Sequence, residues 1–172
     1  MTLHAITVLG HDRPGIIAET TAVLGSLGLN LEDSTMTLLR GHFAMMLISD
    51  GDAATAAIED ALTPLTDGGQ LTVTVREVPV EQAASAAGSS WVLTVHGGDR
   101  PGIVSSIVAR VAAVGGNITD LTTRLAGELY LLVAEVDFGA DTDIDAVRVS
   151  LNEVAAELGV GVTLAAVEAD EL

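Results

Sequence analysis

The chain has no cysteine and no lysine among its 172 residues, and both absences narrow its chemistry. Without cysteine it can form no disulfide, no thiolate nucleophile and no thiolate-ligated metal site. Seven arginines oppose 24 acidic residues, and the net charge is −17. Because nucleic-acid backbones and anionic lipids are bound by clustered cations, the sequence argues against direct binding to either. We interpret the acidity as a solvated surface that keeps the protein soluble.

Aromatic residues and long apolar runs are also scarce. Four aromatic residues occur, Phe43, Trp91, Tyr130 and Phe138, in a chain that is 49% hydrophobic, which predicts an aliphatic core. No apolar run approaches the ~20 residues that a membrane-spanning helix needs. The N-terminus has neither the basic region nor the long apolar core of a signal peptide. We therefore expect a soluble, cytoplasmic protein without membrane contact.

One seven-residue stretch occurs twice: Gly-His-Asp-Arg-Pro-Gly-Ile at 10–16 and Gly-Gly-Asp-Arg-Pro-Gly-Ile at 97–103. Each copy follows a short apolar run and precedes a stretch of helical periodicity. Asp12 or Asp99 is expected to cap the helix that follows, with the proline in its first turn, where the missing N–H costs nothing. Such a strand-to-helix turn, with free backbone N–H groups, is also a favourable place for a carboxylate.

Both halves of the chain show the same order of predicted elements, β-α-β-β-α-β. The first helices of the two halves are expected to end at Gly28 and at Gly115-Gly116, as C-terminal glycines do. The second helix of the second half is predicted from apolar residues spaced three and four apart between Ile144 and Leu158. The second helix of each half is expected to be capped within Asp50-Gly51-Asp52 or by Asp141. The small polar residues at 79–90 lack apolar periodicity and indicate a linker. The predicted organisation is two domains at 1–78 and 91–167, with the linker 79–90 between them and an acidic tail at 168–172.

This element order predicts the α+β class. Two helices covering one face of a four-stranded antiparallel sheet give a ferredoxin-like βαββαβ domain, here repeated twice. The other face or the edge of each sheet is expected to be covered by the sister domain or by a second chain.

The motif and its surroundings resemble the ACT domain family. Asp-Arg-Pro-Gly-Ile lies between the first strand and first helix of each half, and Asn30-Leu31 or Asn117-Ile118 follows that helix. ACT domains are small ferredoxin-like modules that bind amino acids and regulate other proteins. The first half is most similar to the glycine cleavage system transcriptional repressor group, whose members consist of two ACT domains without a catalytic domain.

The resemblance also implies a ligand site. In ligand-binding members, the loop before the first helix and the asparagine after it meet across an interface between two ACT modules. Carried over by position, the ligand-binding residues are Gly10, Asp12, Gly15, Ile16, Asn30, Leu31, Gly97, Asp99, Gly102, Ile103, Asn117 and Ile118. Serine-binding members often have a polar side chain in place of Gly10 and Gly97, and asparagine in place of Asp12 and Asp99. These departures leave the identity of the amino acid open.

The function implied by the resemblance is regulatory and non-enzymatic, with no cofactor. The protein would bind a small amino acid of the glycine or serine type and modulate a partner protein. That partner, rather than this chain, would contact DNA. It would self-associate through pairing of ACT sheets. Two alternatives stay open: a ligand-free interaction module, and a small phosphate-handling hydrolase using Arg13 or Arg100, which lacks an evident base or nucleophile. His4, His11, His42 and His96 show no metal-ligand spacing, which predicts no metal site.

Overall fold

The structure is a computed structural model that describes residues 2–80 and 88–167, and the chain divides into two compact units, residues 1–83 and 84–172. Each unit has the predicted order β-α-β-β-α-β. The first consists of β1 (Thr2–His11), α1 (Ile16–Ser26), β2 (Asn30–Leu39), β3 (His42–Gly51), α2 (Thr55–Thr66) and β4 (Leu71–Val78). The second consists of β5 (Gly88–Gly98), α3 (Ile103–Ala113), β6 (Asn117–Ala126), β7 (Leu129–Gly139), α4 (Ile144–Leu158) and β8 (Val160–Ala166).

Each unit contains one four-stranded antiparallel sheet, with strand orders β2-β3-β1-β4 and β6-β7-β5-β8. β2 and β6 are outer strands, each joined to its neighbour by a two-residue turn. β4 and β8 form the opposite edges of the two sheets. β2 and β6 each contain a β-bulge at the corresponding place, between Leu31 and Asp33 and between Ile118 and Asp120. The predicted α+β, ferredoxin-like fold is confirmed for both halves.

The cores lie between each sheet and its two helices. Alternate residues of the central strands are buried, as the period of two in a strand requires. In the first unit Ile6, Val8, Phe43 and Leu47 pack with side chains of both helices, including Leu24, Ile58 and Leu62. The second unit repeats this arrangement with Leu93, Val95, Leu132, Val136, Ile107 and Leu151. Both cores are mainly aliphatic, as predicted.

The ends of α1 and α3 follow the prediction. Gly28, just after α1, has a left-handed φ of 72°. Its N–H donates to the carbonyl oxygen of Gly25, and the next N–H, of Leu29, donates to that of Leu24. This Schellman arrangement satisfies two free carbonyl groups of the last turn and favours glycine at the left-handed position. Gly115 ends α3 in the same way, with a φ of 74°.

The beginnings of α1 and α3 differ from the prediction. The N-cap positions are Gly15 and Gly102, with φ of 94° and 92°, and neither helix has a side-chain capping bond. The predicted caps at Asp12 and Asp99 are wrong, and the prolines lie before the helices. The reason is the left-handed glycine, which turns the chain between the aspartate and the first helical residue.

The second helices begin at other residues than expected. α4 is capped by Asp143, whose carboxylate accepts a hydrogen bond from the N–H of Ala146 at 3.1 Å, and not by Asp141. α2 begins after Ala54 without a side-chain capping bond, so the predicted cap within 50–52 is also wrong. β5 begins at Gly88, three residues before the predicted 91. Linker residues 81–87 and the tail 168–172 lie outside the described residues.

Ser49 provides a test of the packing in the first unit. Ser49 and His4 lie opposite each other on β3 and β1, both buried, and within the described residues Ser49 Oγ and His4 Nδ1 have no hydrogen-bond partner. An unpaired buried hydroxyl costs about 1–3 kcal/mol. The corresponding position of the second unit is Val136. We expect Ser49→Ala to raise the free energy of unfolding by about 1 kcal/mol, measured by urea denaturation of the full chain.

Thr20→Val is the matched control for that experiment. Thr20 is equally buried, but its Oγ1 donates to the carbonyl oxygen of Ile16 at 2.8 Å. Loss of this hydrogen bond in Thr20→Val is expected to lower the free energy of unfolding by about 1 kcal/mol. Destabilisation by Ser49→Ala would contradict the assignment of Ser49 Oγ as an unpaired group.

Candidate functional site

The first copy of the repeated motif forms the loop between β1 and α1, and backbone hydrogen bonds hold it on both sides. The N–H of Asp12 and the Nδ1 of His11 both donate to the carbonyl oxygen of Gly41, each at 3.0 Å, in the β2–β3 turn. The N–H of His11 donates to the carbonyl oxygen of Gln70 at 3.0 Å, just before β4. The loop is therefore fixed to two neighbouring segments of the unit.

A cavity of about 350 Å³ opens beside this loop. Its lining includes residues 12–18 together with Met36 of β2 and Phe43 of β3. The first backbone N–H groups of α1 have no acceptor within the helix, so they provide donors for an anionic group. Sequence reasoning missed Met36 and Phe43, because only the register of β2 on β3 reveals that they reach this loop.

Arg13 and Glu19 form an ion pair beside the cavity. The guanidinium of Arg13 donates two hydrogen bonds to the carboxylate of Glu19, at 2.8 and 2.6 Å, and both side chains are partly exposed. The hydrogen bonds to Arg13 lower the pKa of the Glu19 carboxyl and raise that of the guanidinium. Arg13 is thus engaged by an acidic neighbour on the surface, and Glu19 places a negative charge in the first turn of α1.

The second copy of the motif differs in its electrostatics. Ser106 occupies the position of Glu19, and the first turn of α3 has no acidic residue. Arg100 lies beside the C-terminal end of α4. Its guanidinium would be 3.1 Å from a Cβ built on Gly159, the residue that follows this helix. Gly159 ends α4, where free carbonyl groups carry partial negative charge and attract a cation. The first turn of α3 therefore contributes no carboxylate of its own to compete for these N–H groups.

Gly10 and Gly97 have a packing role. A Cβ on Gly10 would lie 2.0 Å from the carbonyl oxygen of Gln70, and one on Gly97 would lie 2.8 Å from Cγ1 of Val160. Neither distance is compatible with a side chain, so the close approach of the neighbouring strand accounts for both glycines. Their predicted contact with a ligand stays a prediction.

The two parts of the predicted site lie at opposite ends of each unit. His11 pairs with His42, and Asn30 pairs with Asp50 at the far end of β3. Nine residue steps along β2 correspond to roughly 30 Å. Each unit therefore keeps the loop residues Gly10, Asp12, Gly15 and Ile16 apart from Asn30 and Leu31. The corresponding residues Gly97, Asp99, Gly102 and Ile103 are likewise apart from Asn117 and Ile118.

The side chains of the predicted residues differ in what they can contact. Ile16 and Ile103 are buried in the cores, so only their backbone groups can meet a ligand. Asn117 lines a second cavity, of about 290 Å³, at the far end of the second unit. There the hydroxyl of Ser90 donates to the carboxylate of Asp137 at 2.6 Å, and Asp137 lies opposite Asn117 in the sheet. Oxygen acceptors are therefore concentrated at the asparagine end.

The described residues were also compared with the requirements of a metal site and of a membrane-spanning helix. Residues 2–80 and 88–167 contain no group of three or more His, Asp or Glu side chains placed to hold a metal ion. His11 and His42 stack with ring centroids 5.8 Å apart, a contact that their distance in sequence did not reveal. None of the helices in these two ranges is long and apolar enough to cross a membrane.

The fold and the repeated loop define a tandem of two small α+β modules, each with a helix N-terminus beside a glycine-containing loop. The family model of the ACT domain matches residues 3–76 and 90–165, which is most of the chain. The chain belongs to the ACT domain family.

Individual relatives match parts of the chain. The glycine cleavage system transcriptional repressor of Escherichia coli K12 is 28% identical over 120 residues, which cover 69% of this chain and 63% of the repressor. A UPF0237 protein of Methanopyrus kandleri is 41% identical over 58 residues, 34% of this chain and 64% of that protein. The chain thus spans less than two thirds of the length of both relatives.

A solved structure extends the likeness to nearly the whole chain. The crystal structure of an unknown protein from Galdieria sulphuraria matches with a TM-score of 0.82 and 28% identity, covering 97% of this chain and 99% of that one. The arrangement of two ACT modules in one chain therefore also occurs in that protein.

The packing role of Gly97 leads to a prediction. Gly97→Ala is expected to lower the free energy of unfolding by about 1–3 kcal/mol, because the added methyl group overlaps Val160. Gly98→Ala is the control, since a Cβ there would meet nothing within 4 Å, and its effect should stay within about 0.5 kcal/mol. Urea denaturation measures both variants, and equal stabilities would contradict the packing explanation.

The Arg13–Glu19 ion pair leads to a prediction about the pKa of Glu19. NMR titration of the Glu19 carboxyl is expected to give a pKa below its ordinary value, which Arg13→Ala restores. Because the pKa is lowered in the folded state, the contribution of the pair is present at neutral pH and is lost as the pH falls through that pKa. An unchanged Glu19 titration in Arg13→Ala would show that the pair does not form in solution.

Proposed function

We propose that this chain is a non-enzymatic regulatory protein that binds a small amino acid, of the glycine or serine type, at a site shared between two ACT modules. The observation that carries the proposal is the separation of the loop from the asparagine within each unit. Antiparallel alignment of two modules along their outer strands would bring the loop of one beside the asparagine of the other. The complete site then requires two modules, and the protein self-associates through its sheets.

The loop at one end of a module and the asparagine at the other carry groups that match the two charged groups of an α-amino acid. The N-terminus of α1 or α3 offers free backbone N–H groups to the carboxylate. The oxygen atoms of Asp12 or Asp99, with those of Asn30 or Asn117, can accept hydrogen bonds from the ammonium group. The second loop is better suited to the carboxylate, because Ser106 stands where Glu19 places a negative charge in the first loop.

The proposed output is a change in the binding of a partner protein in the cytoplasm. A ligand between two modules favours the arrangement to which it binds more tightly, and a partner that distinguishes these arrangements responds to it. The name of the E. coli relative suggests that the pathway is transcriptional control of amino-acid metabolism. With a net charge of −17 and no lysine, we propose that the partner, and not this chain, contacts the DNA.

A second candidate is a ligand-free interaction module. The observation in its favour is the apolar character of β2, where Met36, Leu38 and Leu39 are each about half exposed. Such side chains along a sheet edge can bind a partner without any small molecule.

Calorimetric titration of the full chain with the twenty amino acids tests the proposal. We expect saturable binding of glycine or serine, weakened roughly 10- to 100-fold by Asp99→Ala, because a hydrogen bond to a charged group contributes about 1.5–3 kcal/mol. Asp12→Ala tests the first loop in the same way. Asp60→Ala is the control, since Asp60 is an exposed acid of α2 outside both loops. Flat titrations with all twenty would contradict the proposal and favour the interaction module.

A further inference from the structure

We infer that His11 and His42 form a binding site for a divalent transition-metal ion of the zinc class, on the face of the first sheet that the helices leave open. The site is independent of the proposed amino-acid site and adds a second kind of ligand to the first unit. The sequence predicts no metal site, because the two histidines are far apart in the chain and meet only through strand register.

The register places the two histidines side by side. His11 is the last residue of β1, His42 is the first residue of β3, and the two are directly paired. Directly opposed residues of an antiparallel pair project from the same face, with Cβ atoms about 4.5–5.5 Å apart. Val8 and Phe43 are buried on the core face, so the period of two puts both histidines on the opposite face, where both are exposed.

The distance between the two rings is compatible with one shared ion. Their centroids are 5.8 Å apart, and their planes are inclined by 20°. Two imidazole nitrogens bound to one ion at about 2.0–2.1 Å put the ring centroids roughly 5–6 Å apart. A simple aromatic contact has a similar separation, so the assignment depends on which ring nitrogens are available.

The hydrogen bonds leave a ligating nitrogen on each ring. Nδ1 of His11 lies 3.0 Å from the carbonyl oxygen of Gly41. A carbonyl oxygen only accepts, so Nδ1 carries the hydrogen and Nε2 of the neutral ring has the lone pair. Metal-binding histidines almost always donate their other N–H group in this way, which fixes the tautomer and the ring orientation. In the described part of the chain the ring of His42 contacts His11 and makes no hydrogen bond.

The ligand set selects the class of ion. Imidazole nitrogen suits zinc, copper and nickel, whereas magnesium and calcium take oxygen ligands. Residues 2–80 and 88–167 place no third His, Asp or Glu side chain with this pair, so water completes the coordination of a tetrahedral ion. The net charge of −17 attracts cations to the surface in general, and the two imidazoles provide the preference for a transition metal.

The second unit has no corresponding site. The equivalent pair, at the same end of β5 and β7, is Gly98 opposite Leu129. His96 is also exposed, but its direct neighbours across the sheet are Leu131 and Gly161. The metal therefore distinguishes the first unit from the second, and His96 provides a matched control.

The site is connected to the loop between β1 and α1. The carbonyl oxygen of Gly41 accepts hydrogen bonds from Nδ1 of His11 and from the N–H of Asp12. An ion held by His11 and His42 would link the beginning of this loop to β3 through side chains as well as through the backbone. Because zinc binds the folded pair and not the separated histidines, it is expected to raise the midpoint of urea denaturation.

Zinc titration of the full-length protein, with any affinity tag removed, tests the inference. Calorimetry with zinc chloride in excess magnesium chloride is expected to show a single site per chain, because magnesium competes for carboxylates and not for imidazoles. His11→Gln and His42→Gln are each expected to weaken zinc binding roughly tenfold or more, since even the loss of a group that supports a ligand costs about 10- to 100-fold in affinity. His96→Gln should bind zinc like the wild type.

Nitrogen NMR of the imidazole rings identifies the ligands directly. Zinc is expected to shift the ring signals of both His11 and His42 and to leave those of His4 and His96 unchanged. Circular dichroism of each variant verifies that it folds.

Four results would overturn the inference: no zinc binding, a shift of only one of the two rings, loss of binding in His96→Gln, or binding that persists unchanged in both His11→Gln and His42→Gln. The last result would assign the zinc to carboxylates of the acidic surface. Loss of binding in both glutamine variants, with the control unchanged, would support the paired histidines as the site.

Discussion

The antiparallel register of the strands is the constraint on which the rest of the structure depends. In each unit the central pair, β1–β3 or β5–β7, sets which alternate side chains face the helices and form the aliphatic core. The same register fixes the Asp-Arg-Pro-Gly loop at one end of the sheet and the asparagine at the other. A single module therefore keeps the two groups of predicted ligand-binding residues apart, and the proposed site requires two modules.

The fold was predictable from sequence because the signals were regular and occurred twice. Alternation along the strands, the apolar face of α4 and the glycines after α1 and α3 each indicated the element that the structure contains. The helix starts were not predictable from residue type: Asp12 and Asp99 are good capping residues, but the left-handed Gly15 and Gly102 place the first helical residue out of their reach. Met36 and Phe43 were missed because strand register brings them to the loop.

Duplication kept the framework and allowed the charges to diverge. Both copies of the loop keep the left-handed glycine and the glycine that accommodates the neighbouring strand. Glu19 holds Arg13 at the first loop, whereas in the second copy serine replaces the acid and Arg100 lies beside the end of α4. Two loops with one backbone conformation thus present different electrostatic surfaces.

The β-bulges in β2 and β6 limit how far these edges can extend. A bulge interrupts the regular spacing of hydrogen-bonding groups and bends the strand, so an incoming strand cannot continue in register beyond Thr119 or Glu32. Edges without such interruptions are prone to open-ended, amyloid-like stacking. With the bulge, the free edge of β6 has only a short run of regularly spaced hydrogen-bonding groups. The irregularity therefore acts as a built-in limit on polymer growth in a protein whose strands are rich in aliphatic side chains.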